Sequence, residues 1–162
     1  MKKIALCPGT YDPVTEGHKD IIERCAKVFD KVIVAVSENP RKNPMYSLKQ
    51  RIEFIERVFK NNSKVEVLAF AGLLVNIAEK TGSCIIVKGL RAISDFEYEF
   101  QMAQMNKKLN PKIESMFLVS NPKYAYLSSS LVREVASFKG CIKGLVPPEI
   151  EMDIIKSFEN KK

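Results

Sequence analysis

Five short apolar runs rich in β-branched residues punctuate the chain, at Lys3 to Cys7, Lys31 to Val36, Val65 to Phe70, Cys84 to Val87 and Ser115 to Val119. Each is separated from the next by a helix-length segment, and runs of this size and composition are the mark of buried strands. Between them the period changes. Ile21, Ile22, Cys25, Val28 and Phe29 recur at i, i+1, i+4, i+7 and i+8, one apolar stripe along a helix. Ser47 and Gln50 have capping-box spacing ahead of an apolar face of Leu48, Ile52, Ile55 and Phe59. Ser94 and Glu97 suggest a second box, opening a helix that runs to Leu109. A helix over about Leu73 to Lys80 stops before Gly82, a residue suited to a C-cap. After the last strand a helix near Ser129 to Phe138 is ended by Gly140, and another opens near Pro148, where a missing N–H is harmless.

This alternation predicts an α/β fold: a Rossmann-like, doubly wound five-stranded parallel sheet covered on both faces, with C-terminal helices, forming one domain over residues 1–162. The apolar runs, such as "VIVAV" and "CIIV", are too short to cross a bilayer, and the basic start "MKKIALCPGTYDP" meets Pro8 and Gly9 too soon for a signal peptide. A cytoplasmic protein with no membrane partner is expected. Cys7, Cys25, Cys84 and Cys141 form no C-x-x-C pair, which favours reduced thiols over zinc or disulfides. A net charge of +7 suits an anionic partner without separating nucleic acid from a small phosphorylated ligand. The placement of the cations decides between them.

In a sheet of this kind ligands bind beyond the carboxyl ends of the strands, where strand order reverses. The loops expected there carry Gly9, Thr10 and His18 after the first strand, Arg41 and Lys42 after the second, Lys88, Gly89 and Arg91 after the fourth, and Lys123 with Ser128 to Ser130 after the fifth. Small residues, hydroxyls and cations gathered at helix N-termini make a polyphosphate site. It is built without a P-loop, since no G-x-x-x-x-G-K-[ST] occurs and no G-x-G-x-x-G follows the first strand. The cations cluster at one sheet edge and no nucleic-acid-binding motif accompanies them, so no nucleic-acid partner is expected.

Each motif also has a plainer reading. In "TEGH", Thr15 to His18, Gly17 lets the backbone pass close to a ligand and His18 can donate to a phosphate oxygen, yet Gly-His at a helix start is also an ordinary cap. The helix end favours a neutral His18 ring and a bound triphosphate favours a charged one, which leaves its state open. With one histidine and no regularly spaced carboxylates, no protein-borne metal site is expected. "KGLRAISDFEYE" is either a solvated charged face or a phosphate contact through Lys88 and Arg91. "YLSSSLVRE" is either a serine-rich cap or a clamp of hydroxyls and N–H groups with Arg133 nearby. "ENPRKNPMYSL" is a basic surface loop or a flap that brings Lys42 over a phosphoryl group, and Leu73, Leu74 and Asn76 could line a pocket for an uncharged substrate arm.

Taken together, "GTYDPVTEGH", "KGLRAISDFEYE" and "LSSSLVREVA", in this order and at these separations, closely resemble the bacterial phosphopantetheine adenylyltransferases. These belong to the nucleotidyltransferase superfamily with a (T/H)-x-G-H signature. The resemblance covers nearly the whole chain. It implies transfer of AMP from ATP to 4′-phosphopantetheine, giving dephospho-CoA and pyrophosphate, the penultimate step of coenzyme A biosynthesis. It implies direct in-line attack by the substrate phosphate, with Mg²⁺ bound mainly through the ATP phosphates and no covalent intermediate. A phosphate monoester dianion is already a nucleophile, so positioning and charge neutralisation are what remain for the protein to supply.

Carried onto matching positions, the resemblance makes His18, Thr10, Lys42 and Arg91 catalytic. It assigns ATP binding to Thr10, Tyr11, His18, Gly89, Leu90, Arg91, Glu99, Tyr124, Ala125, Tyr126, Leu127, Ser128, Ser129 and Ser130, and phosphopantetheine binding to Thr10, Lys42, Leu74 and Lys88. Lys88 stands where the family often has Arg, and an ammonium does not reproduce a guanidinium's two-pronged contact. Tyr11, Gly72 and Tyr124 stand where Phe, Asp or Trp occur in relatives. A homohexamer and feedback inhibition by CoA are further implications. Rival readings are a superfamily relative acting on nicotinate mononucleotide or glycerol phosphate, against which the Lys88 to Glu99 stretch speaks, and a nucleotide sensor without turnover.

Overall fold

All five apolar runs form strands in the computed structural model, which describes residues 2–38 and 43–159. Arg41 and Lys42 therefore lie outside the described residues. The elements in chain order are β1 (Ile4–Gly9), α1 (Glu16–Val28), β2 (Lys31–Ser37), α2 (Leu48–Val58), β3 (Val65–Phe70), α3 (Leu74–Thr81), β4 (Ile85–Leu90), α4 (Ile93–Leu109) and β5 (Glu114–Val119). A 3-10 turn at Pro122–Tyr124, α5 (Ser129–Ser137) and α6 (Pro148–Glu159) follow. No described helix is long and apolar enough to cross a membrane.

The strands pair in parallel in the order β3-β2-β1-β4-β5, so chain order reverses between β1 and β4. Toward β2 the pairing of β1 runs from Ile4 opposite Lys31 to Gly9 opposite Val36. Toward β4 it covers only Ala5 opposite Ile85 and Leu6 opposite Ile86. Pro8 has no N–H with which to extend a ladder. Beyond Leu6 the two strands part, and a crevice opens between their carboxyl ends.

Period-two alternation divides the core. Ala5, Cys7, Val32, Val34 and Val36 pack against Ile22, Ile55, Val132 and Ile150 from the helices on one face, while Leu6, Ile33, Ala35 and Ile86 pack against Val75, Ile77 and Ala78 of α3 on the other. The prediction of five fully buried strands needs correction at the edges. β3 and β5 are only half-buried, with Glu66, Ala69, Met116 and Val119 exposed, because each has a single neighbour strand and α4 contributes no apolar residue to either buried cluster.

Helix ends follow their capping chemistry with three differences. Ser47 and Gln50 close the predicted box at α2, and Gly82 takes the left-handed conformation, φ 68°, after α3. At α4 the N-cap is Ala92, so the helix starts ahead of the position predicted for a second box. Asp95 reaches back instead, its Oδ2 accepting the Arg91 N–H at 3.2 Å. Val28, predicted on the apolar stripe of α1, is exposed, while Phe29 turns back into the core. Past α5 it is Lys139 that has positive φ, 58°. Gly140 is required by proximity, since a Cβ there would lie 2.7 Å from Val135 Cγ1. All four cysteines are thiols, with Cys7 and Cys25 Sγ atoms 3.8 Å apart in the core.

One buried carboxylate ties three segments together. Asp12, in the loop after β1, accepts the N–H groups of Met45 and Tyr46 at 2.9 Å each, and Arg133 of α5 donates to it at 3.0 Å. Asp12→Ala leaves two N–H donors without their acceptor and the Arg133 guanidinium without its carboxylate, although its bond to the Asp12 carbonyl stays, and a loss of about 2–4 kcal/mol is expected. Urea unfolding of wild type and variant would measure it, and a change within 0.5 kcal/mol would show that the three segments hold without Asp12.

Candidate active site

A cavity of about 540 Å³ occupies the crevice beyond β1 and β4. Pro8 and Gly9 of β1 and Val87 to Gly89 of β4 contribute to it from the sheet, and Gly17 and His18 stand at its side on the first turn of α1. Arg91, Asp95, Tyr98 and Glu99 bound it from the start of α4, and Tyr124 with Leu127 to Ser130 from the approach to α5. The positive ends of α1 and α5 thus face one space.

His18 is held by its own helix cap. Its backbone N–H donates to Thr15 Oγ1 at 3.3 Å, while its ring Nδ1 accepts the Thr15 backbone N–H at 3.0 Å. This is a capping box with histidine in the place usually taken by Glu or Gln. Because Nδ1 is the acceptor, the ring proton is assigned to Nε2. Burial, and then the positive charges of Arg91 and Lys88, lower the His18 pKa to about 4, so the ring is neutral at pH 7.

Tyr11 sets the floor beneath it. The Tyr11 hydroxyl donates to the Cys7 carbonyl at 2.9 Å, and its ring meets the His18 ring edge-on at 5.0 Å. A Cβ at Gly9 would stand 2.9 Å from that ring, which is why glycine ends β1. Burial pushes the Tyr11 phenol well above its usual pKa, and it stays protonated.

The cations meet the cavity already paired. Lys88 Nζ lies 3.3 Å from Glu99 Oε1. Arg91 grips Asp95 through Nε at 2.9 Å and Nη2 at 3.1 Å, and its Nη1 donates to the Leu127 carbonyl at 3.0 Å. Hydrogen bonding from Arg91 holds the Asp95 carboxyl below its usual pKa.

Of the residues picked out in the sequence, Tyr11, His18, Lys88, Gly89, Arg91, Glu99, Tyr124, Leu127, Ser128, Ser129 and Ser130 line the cavity together. Thr10, Leu90, Ala125 and Tyr126 fall between lining residues without forming its wall. Leu74 lines a second cavity of about 120 Å³ with Met102, Asn106 and Phe117, and Lys88, Tyr98 and Glu99 border both spaces. The serine run is partly structural: Ser128 caps α5 by accepting the Leu131 N–H at 3.1 Å, and Ser129 donates to the Pro13 carbonyl at 2.8 Å. Arg133, expected near phosphate, is instead engaged by Asp12. Asp95, Tyr98 and Asn106 were missed. Asp95 carried a signal in its i+4 spacing from Arg91, whereas Tyr98 and Asn106 are placed by the standing of α4 on the sheet.

Comparison with known proteins agrees with this geometry. Residues 6–135 match a protein-family profile described as cytidylyltransferase-like. A phosphopantetheine adenylyltransferase from Clostridium botulinum is 55% identical over 160 residues, 99% of this chain and 98% of the relative. The chain belongs to the phosphopantetheine adenylyltransferase family. The member from Clostridium tetani is 54% identical over 98% of this chain and 99% of its own length. Among solved structures, a nicotinic acid mononucleotide adenylyltransferase from Plasmodium falciparum shares the fold, with TM-score 0.71 at 15% identity, covering 99% of this chain and 97% of the other. Family membership makes the chain a nucleotidyltransferase, and the Rossmann-like sheet agrees with that.

The state of the chain's single histidine is directly measurable. Long-range ¹H–¹⁵N spectra of the free protein are expected to show the Nε2–H tautomer with a midpoint at about 4, and a midpoint near 6.5 would refute the neutral ring. The folded pKa lies below the unfolded one, so the unfolded chain binds this proton first as pH falls. His18 therefore leaves stability unchanged above about pH 6.5 and erodes it from there down to about 4.

Proposed function

We propose that the chain transfers AMP from ATP to 4′-phosphopantetheine, releasing pyrophosphate and dephospho-CoA in the penultimate step of coenzyme A biosynthesis, in the cytoplasm. The observation that carries this reading is the convergence of a neutral His18, the positive ends of α1 and α5, and Lys88 and Arg91 on one crevice joined to a second, more apolar one. ATP fits the larger space, its phosphates toward the helix N-termini and Arg91. The pantetheine arm fits the smaller one, against Leu74 and Met102, with Asn106 available to its amides. Lys88 borders both spaces and suits the acceptor phosphate that must lie between them.

The reaction then needs no covalent intermediate. An oxygen of the phosphopantetheine phosphate forms the new bond to the α-phosphorus as the bond to the bridging oxygen of pyrophosphate breaks in line with it. Charge grows on the non-bridging oxygens, where the Nε2–H of His18 donates, with Thr10 given the same role by the resemblance. Lys42, outside the described residues, keeps the role that the resemblance implies, holding the attacking phosphate. Among the described residues no group of three or more His, Cys, Asp or Glu is placed to hold a metal ion, and the two cavity carboxylates are paired with cations. That donor set suits a Mg²⁺ carried on the triphosphate oxygens, which when bound would neutralise charge on the leaving pyrophosphate.

Assembly into a homohexamer is proposed with it. α4 and β5 expose Ile93, Phe96, Phe100, Met105, Leu109 and Val119, and exposed apolar side chains gathered on adjoining elements suit a subunit contact. CoA, which shares both ends of the product, is expected to compete for the same two spaces.

Two measurements test the reading. Pyrophosphate release from ATP and Mg²⁺ should depend on 4′-phosphopantetheine, with dephospho-CoA identified by mass, and His18→Ala should lower kcat by ~10²-fold or more while ATP affinity changes little. ATP binding without phosphopantetheine-dependent release would reject the reaction, and near-wild-type turnover in the folded variant would reject the role of His18. Light scattering should give six chain masses, and a monomer at assay concentration would reject the assembly.

A further inference from the structure

Arg51, on α2, is 2% exposed, a guanidinium enclosed by protein with no carboxylate among the described residues within ion-pair distance. Its Nη1 donates to the carbonyls of Thr10 at 2.7 Å and Ser37 at 3.0 Å, and its Nε to the carbonyl of Tyr46 at 3.1 Å. Those carbonyls belong to the loop after β1, the end of β2 and the entry to α2. A buried cation costs several kcal/mol in desolvation, which a neutral joint between the same segments would avoid. What a guanidinium adds is a planar, rigid fork whose donors diverge at fixed angles.

The Thr10 bond reaches the site directly. The Thr10–Tyr11 peptide is planar and trans, so fixing its carbonyl toward Arg51 aims the Tyr11 N–H the opposite way and orients the backbone that carries Thr10 and Tyr11. Ser37 and Tyr46 bracket the connection between β2 and α2, so the same side chain sets the distance from that connection to the β1 loop. We propose that Arg51 is a positioning residue for adenylyl transfer, holding the β1 loop and both ends of the β2–α2 connection in the separation that in-line attack requires. This rests on the adenylyl-transfer reading. Arg51 does not line the cavity, and it acts through Thr10 and Tyr11.

The test is Arg51→Lys, which keeps the charge and most of the stem but replaces the fork with a point donor. Misplacement of reacting groups by about 1 Å costs ~10²-fold in rate. The variant is expected to retain wild-type ATP affinity within about threefold, measured calorimetrically with ATP alone, while kcat per folded chain falls by about tenfold or more. A purely structural role predicts a lower melting temperature with kcat per folded chain unchanged, and that result would overturn the inference. An equal loss of ATP affinity and kcat would overturn it too, as general distortion. If the variant does not fold in buffer, it is assayed in trimethylamine N-oxide, which favours burial: a persisting kcat deficit supports positioning, and either full recovery of kcat or failure to refold assigns Arg51 to stability alone. Wild type runs in parallel, and its failure to make dephospho-CoA would be the failure of adenylyl transfer itself.

Discussion

Everything at the site depends on how briefly β1 and β4 stay together. Had their ladder continued beyond Leu6, as it does on the β2 side to Gly9, the strand ends would be sealed and no ligand could approach either helix N-terminus. Pro8 has no N–H with which to continue the pairing, and Gly9 has no side chain to fill the gap. Cys7, the first residue past the shared pairing, gives its carbonyl to the hydroxyl of Tyr11. The ring so anchored lies over Gly9 and against His18. One interrupted ladder thus opens the crevice, admits the aromatic floor and sets the face of the histidine.

The electrostatics follow from that opening. Burial disfavours a charged ring there, and Arg91, just past β4, and Lys88, in the second half of that strand, add repulsion of a third cation. The neutral His18 ring is the result. It remains a good partner for a phosphoryl oxygen because a hydrogen-bond donor aimed by its cap needs no charge of its own. Glu99 and Asp95 hold the two cations in place before any substrate arrives. On the proposed reading, an incoming polyphosphate would share Lys88 and Arg91 with these carboxylates.

Much of this was legible in the residues, and the gaps have physical reasons. Strands in β-branched runs and the box at Ser47 depend on local chemistry, so they could be read directly. The helix of α4, running to Leu109, was read as well, but its orientation was not, because Phe96, Tyr98, Phe100 and Met102 leave no single apolar stripe to orient it. Its start was misplaced for a similar reason, since Asp95 satisfies the Arg91 N–H and a serine box is not needed. Arg133 looked like a phosphate ligand because its partner, Asp12, lies 121 residues away. Arg51 did carry a signal that went unread. It stands three residues after Leu48 and four before Ile55, on the apolar face of its helix, where a charge must have a reason to be buried.

The reason becomes clear at Tyr46. Its N–H donates to Asp12 Oδ1 and its carbonyl accepts from Arg51 Nε, so two buried charges of opposite sign hold the two poles of one residue's backbone. Asp12 belongs to the β1 loop, and Arg51 holds the same loop again through Thr10. Neither charge is neutralised by direct pairing with the other. Asp12 faces two peptide N–H groups and the Arg133 guanidinium, Arg51 faces three peptide carbonyls with Asp12 and Glu38 favouring its charge, and no buried side-chain polar atom among the described residues is left without a partner. Such a frame is costly to disturb by halves, because removing either charge strands the groups that faced it. Rigidity of this kind suits the proposed in-line transfer, in which the phosphoryl groups would bring the reactivity and the protein would keep two loops from drifting apart.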